Sequence, residues 1–249
     1  SHLATEGIDG FLVPRADAHQ GEYVAACDER LAWLTGFTGS AGFAAILMDQ
    51  AGVFIDGRYR VQVKDQIAAD FTPVHWPETK LGPWLVERLA ANAKVGFDPW
   101  LHTVAEVRTL TSVLSAAGIS LSPTSNLVDE IWEDRPGRPN APLLVHSVEV
   151  AGESSAQKRT RLAAEMTKQG RDAVVLTLPD SICWLLNIRG SDIPRNPLAQ
   201  GFAVLLASGA VEFFTNATTD EAVHAHLGDD VTLHAYDALL AYLRRLSGV

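Results

Sequence analysis

Cysteine is nearly missing from this sequence, methionine is as scarce, aromatic residues make up 8% of it, and basic residues are outnumbered by acidic ones. With only Cys27 and Cys183 available, a disulfide-stapled scaffold is excluded. Both cysteines are flanked by apolar, helix-compatible residues, so two buried thiols in a reducing cytoplasm are expected. No apolar run approaches the roughly 20 residues that a membrane-spanning helix needs, and no basic-then-apolar leader opens the chain. A membrane partner is therefore not expected. Lys and Arg total 20 against 30 Asp and Glu, a formal charge of −10 spread along the whole chain. Such a field repels a phosphate backbone, which excludes nucleic acid as the expected partner. The apolar share of 47% is ordinary for a globular protein and excludes disorder. The 249 residues can bury a sizeable core in one or two domains. The first residue is Ser1 instead of Met, and the last, Gly248-Val249, follow a helix-like run directly. These ends read as those of a piece trimmed from something longer.

What the sequence does contain is an echo. Trp184-Leu-Leu-Asn-Ile-Arg-Gly-Ser-Asp-Ile-Pro-Arg-Asn-Pro197 leads into the apolar run Gly201 to Leu206, and Trp33-Leu-Thr-Gly-Phe-Thr-Gly-Ser-Ala-Gly42 leads into Phe43 to Met48. Ile8 to Val13 likewise matches Arg171 to Leu176, and Val53-Phe-Ile matches Val211-Glu-Phe. The intervals run from 151 (Trp33 to Trp184) to 163 (Asp9 to Asp172), which is loop-sized slippage. One architecture used twice is expected.

Taken in order, Ile8 to Val13 reads as a buried strand, and the polar stretch after Pro14 as a loop leading to a short helix near Tyr23 to Cys27. Strands at Gly42 to Met48 and Gly52 to Asp56 form a hairpin. Helical spacing follows over Arg58 to Ala69, then a strand at Phe71 to His75 and a helix over Leu81 to Asn92 with Pro83 in its first turn. Val95 to Phe97, Thr103 to Ala116 and Gly118 to Leu121 read as strand, helix and strand. Asp134-Arg-Pro-Gly-Arg-Pro-Asn-Ala-Pro142 cannot form regular structure. The expected division is a first domain over 1–124, a linker over 125–152 and a second domain over 153–249. The second domain opens with a helix capped at Ser154 or Ser155 and stopped by Gly170. A strand at Ala173 to Leu178 follows, and then a helix capped by Asp180-Ser181.

The residues announce little chemistry. Eight histidines are present, yet no HExxH, no paired CxxC and no tight Asp/His/Glu cluster appears, so no metal site is expected within this chain. His224 and His226 point different ways on a helix, and His19 and Glu22 share a face only if that segment is helical. Ser40 lacks the GxSxG elbow, and its flanking glycines miss both phosphate-binding spacings. A tight backbone turn explains them, although the same loop can bring N–H groups near a carboxylate. Asp56-Gly-Arg-Tyr59, at a strand exit, has two readings. Arg58 and Tyr59 can grip a carboxylate or carbonyl of a bound peptide, or Arg58 pairs with Asp56 and only caps the sheet. Arg189 and Asp192 have the same two readings, with a structural pair favoured.

Several of these segments together resemble a known family. Val13-Pro-Arg-Ala-Asp-Ala-His-Gln-Gly-Glu-Tyr23, Asp28-Glu-Arg30, Trp33 to Gly42, Asp56 to Tyr59, Ile131-Trp-Glu-Asp-Arg-Pro136, Ala151-Gly-Glu-Ser-Ser155 and Trp184 to Pro197 are similar, in order, to the N-terminal half of aminopeptidase P. This is the three-domain Xaa-Pro aminopeptidase related to creatinase and prolidase. The resemblance implies an α/β fold of two creatinase N-terminal-like domains, each a mixed β-sheet flanked by helices, with the pita-bread catalytic domain absent. It implies a parent hydrolase that uses two divalent ions, manganese or zinc, held by residues of that third domain, and no cofactor here. The implied partners are the protein's own C-terminal catalytic domain, a second subunit in a homodimer, and peptides with proline second; the implied location is cytoplasmic. Arg58, Tyr59, Phe37 and Ser40 are the candidate substrate-binding residues, with a neighbouring subunit's substrate as one possible ligand, and no residue is assigned a catalytic role. The rival expectation is a stand-alone small-molecule-binding or assembly module of the same fold.

Overall fold

Short apolar runs punctuated by glycine and proline become strands, and the two hairpins anchor everything else. The computed structural model describes residues 2–246; Ser1 and the last three residues, on which the reading of trimmed ends rests, lie outside the described residues. The chain divides into two compact units, the first made of 1–18 with 26–136 and the second of 19–25 with 137–249.

Unit 1 contains α1 (His2–Thr5), β1 (Gly10–Pro14), α2 (Arg30–Thr35), β2 (Gly42–Leu47), β3 (Ala51–Ile55), α3 (Gln62–Gln66), β4 (Phe71–His75), α4 (Leu81–Val86), β5 (Lys94–Phe97), α5 (Val104–Ser115), β6 (Ser120–Pro123) and α6 (Leu127–Ile131). Its six strands lie in the order β4-β3-β2-β1-β5-β6. Only β2 runs against its neighbours, so β1, β3, β4, β5 and β6 all end at one edge of the sheet. Alternation along each strand splits the core between the two faces. Phe11, Val13, Val53 and Ile55 pack with Leu31 of α2, Val63 of α3 and Leu127, Val128 and Trp132. Leu12, Ala45 and Phe54 pack on the other face with Trp84, Leu85 and Leu114. Leu127 to Trp132 thus belong to the unit 1 core, although the sequence places them in the linker.

Unit 2 contains β7 (Leu144–Val145), α7 (Val148–Ala151), α8 (Ser155–Lys168), β8 (Ala173–Leu176), α9 (Pro179–Leu186), β9 (Ile188–Arg189), β10 (Phe202–Leu206), β11 (Val211–Thr215), α10 (Glu221–Leu227), β12 (Val231–Ala235) and α11 (Leu239–Leu246). Its main sheet has the order β12-β11-β10-β8, which repeats β4-β3-β2-β1 with the same strand directions. The registers repeat as well. Gly10 faces Leu47 as Ala173 faces Leu206, and Ala51 lies beside Phe71 as Val211 lies beside Val231. In the hairpin, Phe43 faces Phe54 as Phe202 faces Phe214, so Val53 corresponds to Phe213, two residues beyond the alignment read from sequence. A two-residue slip keeps every side chain on its own face, which is why it was invisible in the apolar pattern. Both hairpins start at a glycine for one reason. A Cβ on Gly42 would sit 2.9 Å from the Phe54 carbonyl oxygen, and one on Gly201 2.6 Å from that of Phe214.

Several elements differ from expectation. The helix expected over 81–92 stops at Val86, where the chain tightens and Asn92 turns left-handed to donate its N–H to the Gly118 carbonyl. The one expected over 58–69 breaks into a 3₁₀ turn at Gly57–Tyr59 and the short α3. The helix near Tyr23 to Cys27 is a 3₁₀ turn at Ala26–Asp28. Leu178 caps α9, with Pro179 in its first turn, in place of Asp180-Ser181.

Burial in unit 1 also predicts a pH dependence. His102 packs edge-on against Phe97 at 5.6 Å, and its Nε2 has no hydrogen-bond partner. Burial pushes its pKa below the usual value, against the pull of Glu106 and Asp98. The unfolded chain then takes up a proton near pH 6.5 that the folded form resists. Stability contributed by neutral His102 should be full above about pH 6.5 and decline as pH falls toward the depressed folded value. Urea midpoints at pH 7.5 and 5.5 check this, and His102→Gln should flatten the difference.

Candidate functional site

The candidate residues gather where β1 and β3 end and β2 begins, at the carboxyl edge of the unit 1 sheet. Loops at the carboxyl ends of parallel strands are where open α/β sheets place their ligands. Local chemistry builds the loop. Gly36 ends α2 in the left-handed region, with φ of 82°. A Cβ there would lie 2.4 Å from the Gln66 carbonyl oxygen, so only glycine allows this approach. Thr35 bonds back to the Leu31 carbonyl at 2.7 Å and receives the Phe37 N–H at 3.1 Å. Gln66 accepts the Thr38 N–H at 3.0 Å and donates to its hydroxyl at 2.8 Å, tying the loop to α3.

The four candidates meet around Tyr59, over whose ring the Arg58 guanidinium lies at 5.1 Å. Ser40 Oγ and the Tyr59 hydroxyl are 2.6 Å apart, and the Ser40 carbonyl accepts from Arg15 at 3.3 Å. The serine hydrogen bond holds the Tyr59 phenol below its ordinary pKa, because it favours the phenolate. Phe37 meets the Tyr59 ring edge-on at 5.5 Å but is only 1% exposed. Its ring lies beneath Gly39 and Gly42, so it supports the loop from inside and offers no surface to a ligand.

Arg58 pairs with Asp56. Its Nη2 donates to Asp56 at 2.6 Å and its Nε at 3.0 Å, while its backbone N–H donates to the same carboxylate at 2.9 Å. Those bonds lower the Asp56 pKa, the guanidinium contact first. The Arg58 side chain is 65% exposed, so it faces solvent while it holds Asp56.

In unit 2 the loop between Trp184 and Gly201 is held by its own hydrogen bonds. Asp192 accepts the N–H groups of Ala141 at 3.0 Å and Gln200 at 2.7 Å, and Arg189 donates to the Ile188 carbonyl. The expected Arg189–Asp192 pair is not formed, because buried backbone donors occupy the carboxylate. Ile188–Arg189 instead forms β9 and pairs with β7. Buried Lys158 donates to Asn187 at 2.6 Å and to the Trp184 carbonyl at 2.8 Å, capping α9. Burial lowers its pKa.

Sequence reasoning missed a cluster at the carboxyl edge of the unit 2 sheet. His19 donates from Nδ1 to the Thr177 carbonyl at 2.9 Å, which leaves Nε2 to accept the Tyr236 hydroxyl at 3.0 Å. Its ring lies 4.5 Å from Phe202, and the Arg138 guanidinium sits 4.5 Å over Tyr236. Residues 19–22 are not helical, so His19 and Glu22 share no helix face. Among the described residues, no group of three or more His, Cys, Asp or Glu side chains is placed to hold a metal ion. Cys27 and Cys183 are both buried, and neither is in a disulfide.

Two α/β units of one strand topology, each a mixed sheet with helices on it, define a tandem repeat of one domain. Family models described as Creatinase/Prolidase N-terminal domain match residues 1–131 and again 134–248. The chain belongs to the creatinase/prolidase N-terminal domain family, and it corresponds to the N-terminal region of the Xaa-Pro aminopeptidases of that kind. A probable Xaa-Pro aminopeptidase P of Coccidioides posadasii is 40% identical over 96% of this chain, and one of Coprinopsis cinerea is 36% identical over 98%. The chain spans about 40% of the length of each. The X-prolyl aminopeptidase of Caenorhabditis elegans, described as a cytosolic enzyme with a di-nuclear active site, superposes with a TM-score of 0.91 at 33% identity. That match covers 97% of this chain and 40% of the worm protein. No helix among the described residues is long and apolar enough to cross a membrane.

Proposed function

We propose that this chain is the non-catalytic N-terminal region of a longer, proline-specific aminopeptidase, in which it restricts access of peptides to the active site and supports assembly. The observation that carries this reading is the doubled family match alongside relatives of more than twice the length. The described residues do not fit a two-metal centre, because their His, Cys, Asp and Glu side chains do not converge. The reading therefore assigns the metals, manganese or zinc, and the water they activate to the C-terminal catalytic domain of the longer protein. Its substrates are peptides with proline second, its location is cytoplasmic, and it works as a homodimer.

Within this reading the carboxyl edge of unit 1 touches the substrate. Arg58 exchanges Asp56 for a peptide carbonyl or carboxylate, Tyr59 and Ser40 donate beside it, and Phe37 holds the loop from beneath. Two experiments test it. The 249-residue chain, incubated with an Xaa-Pro peptide and manganese, should give no turnover above a blank, and clear turnover would overturn the reading. In the longer enzyme, Arg58→Ala should lower kcat/KM by about tenfold, on the order of one lost charged hydrogen bond, with the melting temperature unchanged. An unaltered kcat/KM removes Arg58 from the site.

A further inference from the structure

Strand pairing fixes which residues correspond at the carboxyl edges of the two sheets. Because Phe43 faces Phe54 as Phe202 faces Phe214, Phe43 and Phe202 are counterparts. His75 and Ala235, which end β4 and β12, lie beside Ile55 and Thr215 in the same way. The residues that follow them, Trp76 and Tyr236, are therefore counterparts too. Each unit sets two aromatic rings against each other at this place. Phe43 meets Trp76 edge-on at 6.3 Å, and Phe202 meets Tyr236 at 5.1 Å.

The two aromatic corners differ in how far they are covered. In unit 2 the His19 ring lies 4.5 Å from Phe202 and, edge-on, 5.8 Å from Tyr236, whose hydroxyl bonds to it. The Arg138 guanidinium lies over the Tyr236 ring. Phe202 and Tyr236 are accordingly 2% and 7% exposed. In unit 1 Trp76 is 42% exposed and Phe43 is half-buried. The unit 1 rings are nevertheless held from behind. Phe43 stacks on buried Phe54 at 4.6 Å, and the Trp76 N–H donates to the Ile55 carbonyl at 2.9 Å. The corner also adjoins the candidate site. Ile55 directly precedes Asp56, and Arg60, two residues past Arg58, pairs with Glu78, two residues past Trp76.

We infer that the Phe43–Trp76 corner binds a planar ring side chain of a peptide, histidine or an aromatic, as its counterpart in unit 2 binds His19. Ring faces attract ring edges and cations and repel carboxylates, so acidic side chains are disfavoured there. Trp76 is then a specificity-determining residue for the peptide whose carbonyl or carboxylate meets Arg58. That assignment of the peptide rests on the aminopeptidase reading, whereas ring binding in the corner does not.

Binding is read on the 249-residue chain, from the indole N–H NMR signal of Trp76, assigned by its loss in Trp76→Phe. Ala-Pro-His-Ala or Ala-Pro-Ala-His should shift this signal and Ala-Pro-Ala-Ala should not, while the signal of buried Trp132 stays in place. In the longer enzyme, kcat/KM for the better histidine peptide should exceed that for the alanine peptide about fivefold, the scale of one aromatic pair. The ratio should fall toward one in Trp76→Ala and return in Trp76→Phe. Arg58→Ala should lower both rates and keep the ratio. No shift with either histidine peptide, an equal shift with Ala-Pro-Ala-Ala, or a ratio that survives Trp76→Ala overturns the inference. A shift in the 249-residue chain, with no turnover of Xaa-Pro peptides by the longer protein, upholds ring binding and overturns the aminopeptidase reading instead.

Discussion

Replacing Arg30 by methionine should lower the stability of unit 1 by about 3–5 kcal/mol, as expected when one partner of a buried ionic network is removed. Arg30 is 4% exposed. Its guanidinium donates to Asp129 through Nε at 2.6 Å and Nη2 at 3.0 Å, and to buried Asp28 through Nη1 at 2.9 Å. Arg135 completes the group, 2.6 Å from Asp129 and 3.7 Å from Asp28, with its Nε on the Cys27 carbonyl. Without Arg30, Arg135 still serves Asp129, but Asp28 is left buried with the longer Arg135 contact and the weak Cys27 thiol donor at 3.6 Å. The loss arises from that stranded carboxylate more than from the attraction itself. The double variant Arg30→Met with Asp28→Asn should therefore recover a measurable part of the stability. Urea unfolding at neutral pH reads both changes, and a loss below about 1 kcal/mol for the single variant would show that the network is no more than a surface ion pair.

Phe37→Ala should destabilise unit 1 by a similar amount, about 3–5 kcal/mol, the usual range for emptying a buried aromatic site. The ring fills space that Gly39 and Gly42 leave open: a Cβ on Gly39 would lie 2.2 Å from the ring, and one on Gly42 2.8 Å. It also backs the Tyr59 ring, so its removal should loosen the Ser40–Tyr59 hydrogen bond. Arg58→Ala offers the contrast. Its exposed pair with Asp56 is of the kind that contributes about 0–1 kcal/mol. A binding residue and a supporting residue in the same loop are thus separable by denaturation alone. If Phe37→Ala unfolds at the same urea concentration as the parent, the supporting role is wrong.

Much of this architecture could be read before any coordinates. The hairpins Gly42 to Ile55 and Phe202 to Thr215 are written in apolar alternation and turn residues, and of the two serines that could cap the first long helix of unit 2 the structure uses Ser154. The doubled order of parts was visible because each copy repeats the same short-range signals. The candidate site was legible in part. Arg58, Tyr59 and Ser40 do gather at one strand edge, but the surface or interior place of Phe37 depends on two glycines whose missing Cβ atoms make room for it.

The remainder concerns partners far apart in the chain. Asp28-Glu-Arg30 and Ile131 to Pro136 stood out as separate motifs, yet nothing in either says that Arg30 and Asp129 meet across 99 residues. The Asp192 carboxylate pairs with backbone amides and not with Arg189, and the His19 to Tyr236 hydrogen bond spans 217 residues. The sequence alone determined most of the strands, the order of parts that occurs twice, and the acidic, cysteine-poor character of the chain, because periodicity, caps and turns act between near neighbours. Tertiary structure decided which charges are buried together and which aromatic ring is support. Those outcomes depend on distances between residues that the chain order does not encode.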